Sequence, residues 1–129
     1  MKRIQFASSF VLLVFFVTAV WAHHSPAVFD RTKEVKLVGV VKEFRWSNPH
    51  SYIELEVRND KGEVDFWAVE MNPPSYLVKA GWKSTTIKAG DTVTVMINPL
   101  RTSEKSGKFV SITLPGGKVL TENPPAATP

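Results

Sequence analysis

No cysteine occurs among the 129 residues. Disulfides, thiolate metal sites and a cysteine nucleophile are therefore excluded, and so is an N-terminal lipid anchored through cysteine. Histidine is scarce, with three residues, and so is an excess of charge of either sign. Sixteen basic against 12 acidic side chains give +4, and leaving out Lys2 and Arg3 leaves 14 against 12. A surface so nearly balanced offers little to attract a nucleic-acid backbone. Signatures of common catalytic sites are missing too: no Gly-x-Ser-x-Gly elbow, no phosphate loop and no His-Glu-x-x-His. No apolar run reaches the roughly 20 residues that a membrane span needs.

What is present begins with an address. Lys2 and Arg3 precede an apolar run from Phe10 to Val20 broken only by Thr18, and Val20-Trp21-Ala22 offers a small residue for a signal peptidase. The pattern predicts a leader over residues 1–22, cut after Ala22, and a periplasmic or secreted protein that leaves the membrane once cut. The rival reading, an uncleaved anchor, asks for a longer run. Cutting there makes His23 the new N-terminus, with His24 next. A domain this small without disulfides depends on its hydrophobic core, which favours a closed sheet.

Residues 23–34 read as an irregular segment and 35–120 as one domain. Val35 to Trp46 is a long strand with Val35, Leu37, Gly39 and Val41 on one face and Val38, Val40, Phe44 and Trp46 on the other. Apolar residues on both faces around an interior glycine predict a bent strand shared by two halves of a barrel. Ser47-Asn48-Pro49-His50 ends it. Tyr52 to Val57 alternates, with Ile53, Leu55 and Val57 inward. Asn59 to Gly62 turns into a third strand, Glu63 to Met71, whose inward face the pattern leaves open. A short helix follows, with Ser75 as its cap, Gly81 as its stop, and Tyr76, Leu77 and Trp82 as packing residues. A fourth strand points Val93, Val95 and Ile97 inward, and a fifth does the same with Val110, Ile112 and Leu114. Residues 121–129 are polar and proline-rich, which predicts a disordered tail. The order β-β-β-α-β-β with a long bent first strand predicts an all-β, five-stranded OB-fold-like Greek-key barrel with one short helix.

Several segments together carry a resemblance. They are His23-His24-Ser25 with Phe29-Asp30, Gly39 to His50 ending in Trp46-Ser47-Asn48-Pro49-His50, Glu70-Met71, Gly81-Trp82, Gly90-Asp91 and Asn98-Pro99-Leu100-Arg101. The chain resembles a family of small exported proteobacterial proteins of unknown function. That resemblance implies export and a compact β domain, and it supplies no catalytic residues.

Chemistry must then come from the side chains. An N-terminal histidine joins an amine and an imidazole on one residue. A second imidazole from His24 or His50 would complete a three-nitrogen set suited to copper or nickel, with Met71 offering sulfur and Glu70 oxygen. The competing reading is a solvated terminal pair and a histidine that satisfies turn backbone. Reach is demanding. The first strand spans about 35 Å, and residues 23–34 cover about 40 Å only when nearly extended.

The second candidate set is Trp46, Asn48, Tyr52, Trp67 and Trp82, a barrel face for a cell-wall glycan, a peptide or a small apolar ligand. Against it stands the tendency of such rings to be core, above all Trp67 and Trp82. Glu54 and Glu56 share the Tyr52 face and would repel phosphates, so nucleic acid is not expected as a partner. A third reading, an oxidative enzyme at a terminal-histidine copper site, needs an open coordination position that nothing in the sequence marks. The expectation is a small exported binding module and not an enzyme.

Overall fold

In the computed structural model, residues 26–124 are described. The leader, His23, His24 and residues 125–129 lie outside them. A 3-10 turn (Pro26–Val28) precedes β1 (Val35–Arg45), β2 (Tyr52–Arg58), β3 (Val64–Glu70), α1 (Pro74–Lys79), β4 (Thr92–Pro99), β5 (Ser106–Thr113) and β6 (Val119–Thr121). The strands lie in the order β3-β2-β1-β4-β5-β6, and a further β3–β5 pairing closes the first five into a barrel. That closing pair is parallel and every other is antiparallel. With α1 between β3 and β4, this is the OB-fold arrangement.

β1 belongs to both halves. Val35 to Val40 pair with β4, and Gly39 to Arg45 pair with β2. Where the two ladders overlap, a Cβ on Gly39 would lie 2.5 Å from the Glu56 carbonyl oxygen, so only glycine lets the backbones approach. Two residues on, the register steps from Val41↔Leu55 to Glu43↔Glu54 and leaves Lys42 as the extra residue of a bulge. A bulge reverses the parity of everything beyond it. Leu37, Gly39 and Val41 therefore face inward before it, and Phe44 and Trp46 pack on the core after it. Val38 and Val40, expected on the same face as Phe44 and Trp46, are left outside.

β5 holds a second bulge. Met96 pairs with Ser111 and Ile97 with Phe109, so Val110 is the unpaired residue. Phe109 and Ile112 are buried, and Val110 is not the inward residue that alternation predicts. On β3 the open question closes in favour of Trp67, Val69 and Met71, which point inward, while Val64, Phe66 and Ala68 point out.

The helix differs from its expectation at its start. Pro73 occupies the N-cap, no side chain caps it, and Ser75 already lies within the first turn. Proline at the first helical position gives up a donor that would be orphaned anyway. Leu77 is buried, Tyr76 is exposed, and Gly81 ends the helix with φ +87°. The end of the barrel is sewn shut by residues that composition assigned to a loose tail. The Thr121 carbonyl accepts a hydrogen bond from Trp82 Nε1 at 2.8 Å, and Glu122 accepts one from the Asn72 amide while facing Lys108 Nζ at 3.4 Å. Burial pushes the Glu122 carboxyl above its ordinary range, with Lys108 opposing the shift.

Candidate functional site

The sequence-predicted residues separate into three groups. Trp82 is core, 1% exposed, and in ring contact with Phe44 and Phe109. It offers no face to a ligand. Met71 is fully buried as well, so its sulfur points into the core and away from any surface donor set. Trp46 is half-buried against Phe44, their ring centroids 5.7 Å apart, and Asn48 is exposed beside it in a cis Asn48-Pro49 turn.

The second group surrounds His50. Its Nδ1 lies 3.1 Å from the Met71 carbonyl oxygen and 3.3 Å from Glu70 Oε1. Both neighbours are acceptors, so Nδ1 carries the proton and, in the neutral ring, Nε2 carries the lone pair. Glu70 pairs across the ladder with Tyr52, whose hydroxyl is pushed above its usual range, first by burial and then by the Glu70 charge. Met71, Glu70 and His50 therefore do come together, with Met71 contributing backbone and Glu70 orienting the ring. Among the described residues, no three His, Asp or Glu side chains converge as a metal-binding group.

The N-terminal segment runs the other way. Phe29 bridges Leu100, Asp30 N–H donates to the Pro99 carbonyl, and Arg101 N–H donates to the Val28 carbonyl. Leu100 N–H in turn donates to Ser106, which stands level with Ala68 on β3. Passing from Asp30 to Val28 thus moves from the level of Val69 toward that of Trp67, whereas His50 sits beyond Glu70. Val28 is about three ladder positions around the barrel and several residues along it from His50, on the order of 20 Å. Asp30 is held in place by Thr32, whose hydroxyl and amide both donate to its Oδ1 and keep its carboxyl below the ordinary range.

The third group covers the outside of β1, β2 and β3. Val38 (53% exposed), Val40 (38%), Val64 (41%) and Phe66 (58%) all face solvent there, although the core beneath them is complete. Lys42, freed by the bulge, reaches over the Phe66 ring with Nζ 4.8 Å from its centroid. Arg45 lies over Tyr52 and donates to Glu54 at 2.8 Å, and Lys105 pairs with Asp65. Two shallow depressions mark this face. One, of about 270 Å³, lies among Val38, Val40, Glu56, Arg58, Val64 and Thr92. The other, of about 230 Å³, is lined by Glu54, Phe66, Trp67, Ala68 and Lys105. A depression of about 310 Å³ at the opposite end, between Ala80 and residues 118–123, presents no aromatic ring.

Of the predicted aromatic residues, Tyr52 lies on this outer face, while Trp46 and Trp67 are half-buried and pack on the core. Phe66 was missed. The signal that finds it is parity. Once Val69 and Met71 are inward, the residue at position 66 must face out, and a large aromatic ring in solvent is the unusual observation.

A family described as a family of unknown function, DUF6152, matches residues 11–109. No curated protein matches the sequence. Two crystal structures of the mitochondrial single-stranded DNA-binding protein Rim1 from S. cerevisiae align with the barrel. One has 12% identity and a TM-score of 0.48 over 64% of this chain and 94% of that one. The other has 14% identity and a TM-score of 0.45 over 64% and 93%. At these values the likeness concerns the fold, which the strand order already establishes.

Proposed function

The chain belongs to the DUF6152 family, and from that premise we propose that it is an exported, non-catalytic binding module that takes its ligand on the outer face of β1, β2 and β3. The observation that supports this most is the exposure of Val38 and Val40 on β1 and of Val64 and Phe66 on β3, either side of Glu56 and Arg58 on β2, on a barrel whose core is already filled. Large apolar side chains gathered in solvent on one face mark a surface that something covers. Glu54, Glu56 and Glu70 on this face stand beside Lys42, Arg45 and Arg58, so the face has no excess positive charge to hold a phosphate backbone, and the ligand we propose is an uncharged one with an apolar side. The neutral dye phenylnaphthylamine tests this reading. Its fluorescence should rise saturably with the native protein, and Phe66→Ala should weaken binding roughly fivefold or more. Val78→Ser, on the exposed side of α1, should leave it unchanged. Equal dye binding by Phe66→Ala would remove the outer face from consideration.

One specific observation favours a second reading, a copper or other transition-metal site. His50 is held through Nδ1 by a carbonyl and a carboxylate, the outer-shell arrangement that orients a metal-binding imidazole. His23 and His24, freed by export and cutting after Ala22, would supply the remaining nitrogens, and the segment before Val28 would have to turn back to bring them there. Copper titration of the protein beginning at His23 decides it. The expected result is one equivalent bound, weakened roughly 10- to 100-fold by His50→Ala. Identical binding by that variant removes His50 from the set.

A further inference from the structure

We infer that the depression floored by Ala68 is a subsite for one neutral sugar ring of a glycan; this rests on the outer-face reading above and names the ligand class that the face takes. Ala68 stands directly opposite Glu54 in the β2–β3 ladder and level with Ser106 on β5. Its methyl group is the only side-chain volume at a position ringed by larger residues, which is why the surface dips there. Phe66 provides aromatic carbon on one side, and Glu54 and Lys105 provide an acceptor and a donor on the other.

Both polar groups are already immobilised. Glu54 is held by Arg45 at 2.8 Å, and Lys105 is paired with Asp65. They need little further ordering to meet a ligand, which removes part of the entropic cost of binding. The two charges also balance, so neither an anion nor a cation gains from the depression as a whole. A purely apolar occupant would cover Glu54 and Lys105 without replacing their water, a loss for each group left unsatisfied. A pyranose ring meets both demands. Its C–H face lies against an aromatic ring, and its equatorial hydroxyls donate to the carboxylate and accept from the ammonium. The volume, about 230 Å³, suits one ring and not a chain of them. Further units of a glycan would then run along β3 past Phe66 toward Val64, or out over the loop that carries Lys105.

The experiment is calorimetric, because the Trp67 ring points to the inner side of the sheet. The purified protein is titrated with chitotetraose, cellotetraose, maltotetraose and an aromatic tripeptide while the heat of binding is followed. At least one tetrasaccharide should give a saturable change. Phe66→Ala should weaken it roughly tenfold, the loss of one stacking contact. Ala68→Leu, which fills the recess from an outward strand position, should abolish it with the urea midpoint unchanged. No response to any tetrasaccharide, or an undiminished response in Ala68→Leu, overturns the subsite. Binding of the tripeptide alone overturns it too, and assigns the recess to peptide. The dye measurement separates the two levels: dye bound at Phe66 with no sugar bound defeats only the sugar, and dye unbound defeats the face with it.

Discussion

Trp82→Ala should lower the unfolding free energy by about 3–5 kcal/mol, the usual cost of deleting a large buried ring. Trp82 is 1% exposed and joins Phe44 to Phe109 across the end of the barrel. Its Nε1 also ties β6 to the core through the Thr121 carbonyl at 2.8 Å. Domains of this size are stable by only about 5–15 kcal/mol, so the variant would lose a large share of its stability. Trp82→Phe separates the contributions. It keeps most of the packing and removes the hydrogen bond to Thr121, at about 1 kcal/mol. Urea denaturation followed by circular dichroism measures both. A Trp82→Ala loss under about 1 kcal/mol would mean that the ring does not hold the barrel end together.

Gly107→Ala should cost about 1–3 kcal/mol, a small change in volume with a large consequence. A Cβ there would lie 2.6 Å from Ile97 Cδ1 and 2.7 Å from the Asn98 carbonyl oxygen. The isoleucine tip can rotate, but the backbone oxygen cannot move without disturbing the β4–β5 ladder. Gly107 also stands where β5 meets β3 and β4 together, opposite Val69 on one side and Pro99 on the other. Displacing it therefore strains the pairing that closes the barrel. Gly116→Ala is the control. Nothing lies within 4 Å of the added carbon, so the change should stay within about 0.5 kcal/mol. A Gly107→Ala variant as stable as Gly116→Ala would show that the closing strands have slack.

The barrel was legible from the sequence because its signals are local. Clean alternation marked β2 and β4, Asn-Pro and Gly-Asp pairs marked the breaks, and the helix sat where an OB-fold needs it. The two bulges were not legible. Lys42 and Val110 look like any other strand residues, and only the register with the partner strand shows that each is extra. The errors of facing on the strands followed from them. Val38 and Val40 could not be separated from Phe44 by alternation, and Val110 took the inward place that belongs to Phe109. The tail misled for a different reason. Thr121 and Glu122 are polar and precede prolines, yet their roles come from distant partners, Trp82, Asn72 and Lys108.

The candidate sites follow the same division. His50 and Glu70 were readable as chemistry-bearing residues, and cross-strand proximity brings them together. Met71 and Trp82 were chosen for side-chain type, and burial removes both from the surface. Phe66 escaped notice because outward strand positions are normally polar, so an aromatic there is informative only after its direction is known.

The central claim is that the outer face of β1, β2 and β3 is the binding surface, and amide NMR under titration with phenylnaphthylamine tests it most directly. Binding there shifts the amides of Val38 to Val40 and Val64 to Ala68. Shifts confined to Ala80 and residues 118–123, at the far end of the barrel, would contradict the claim and move the site to the depression between α1 and β6.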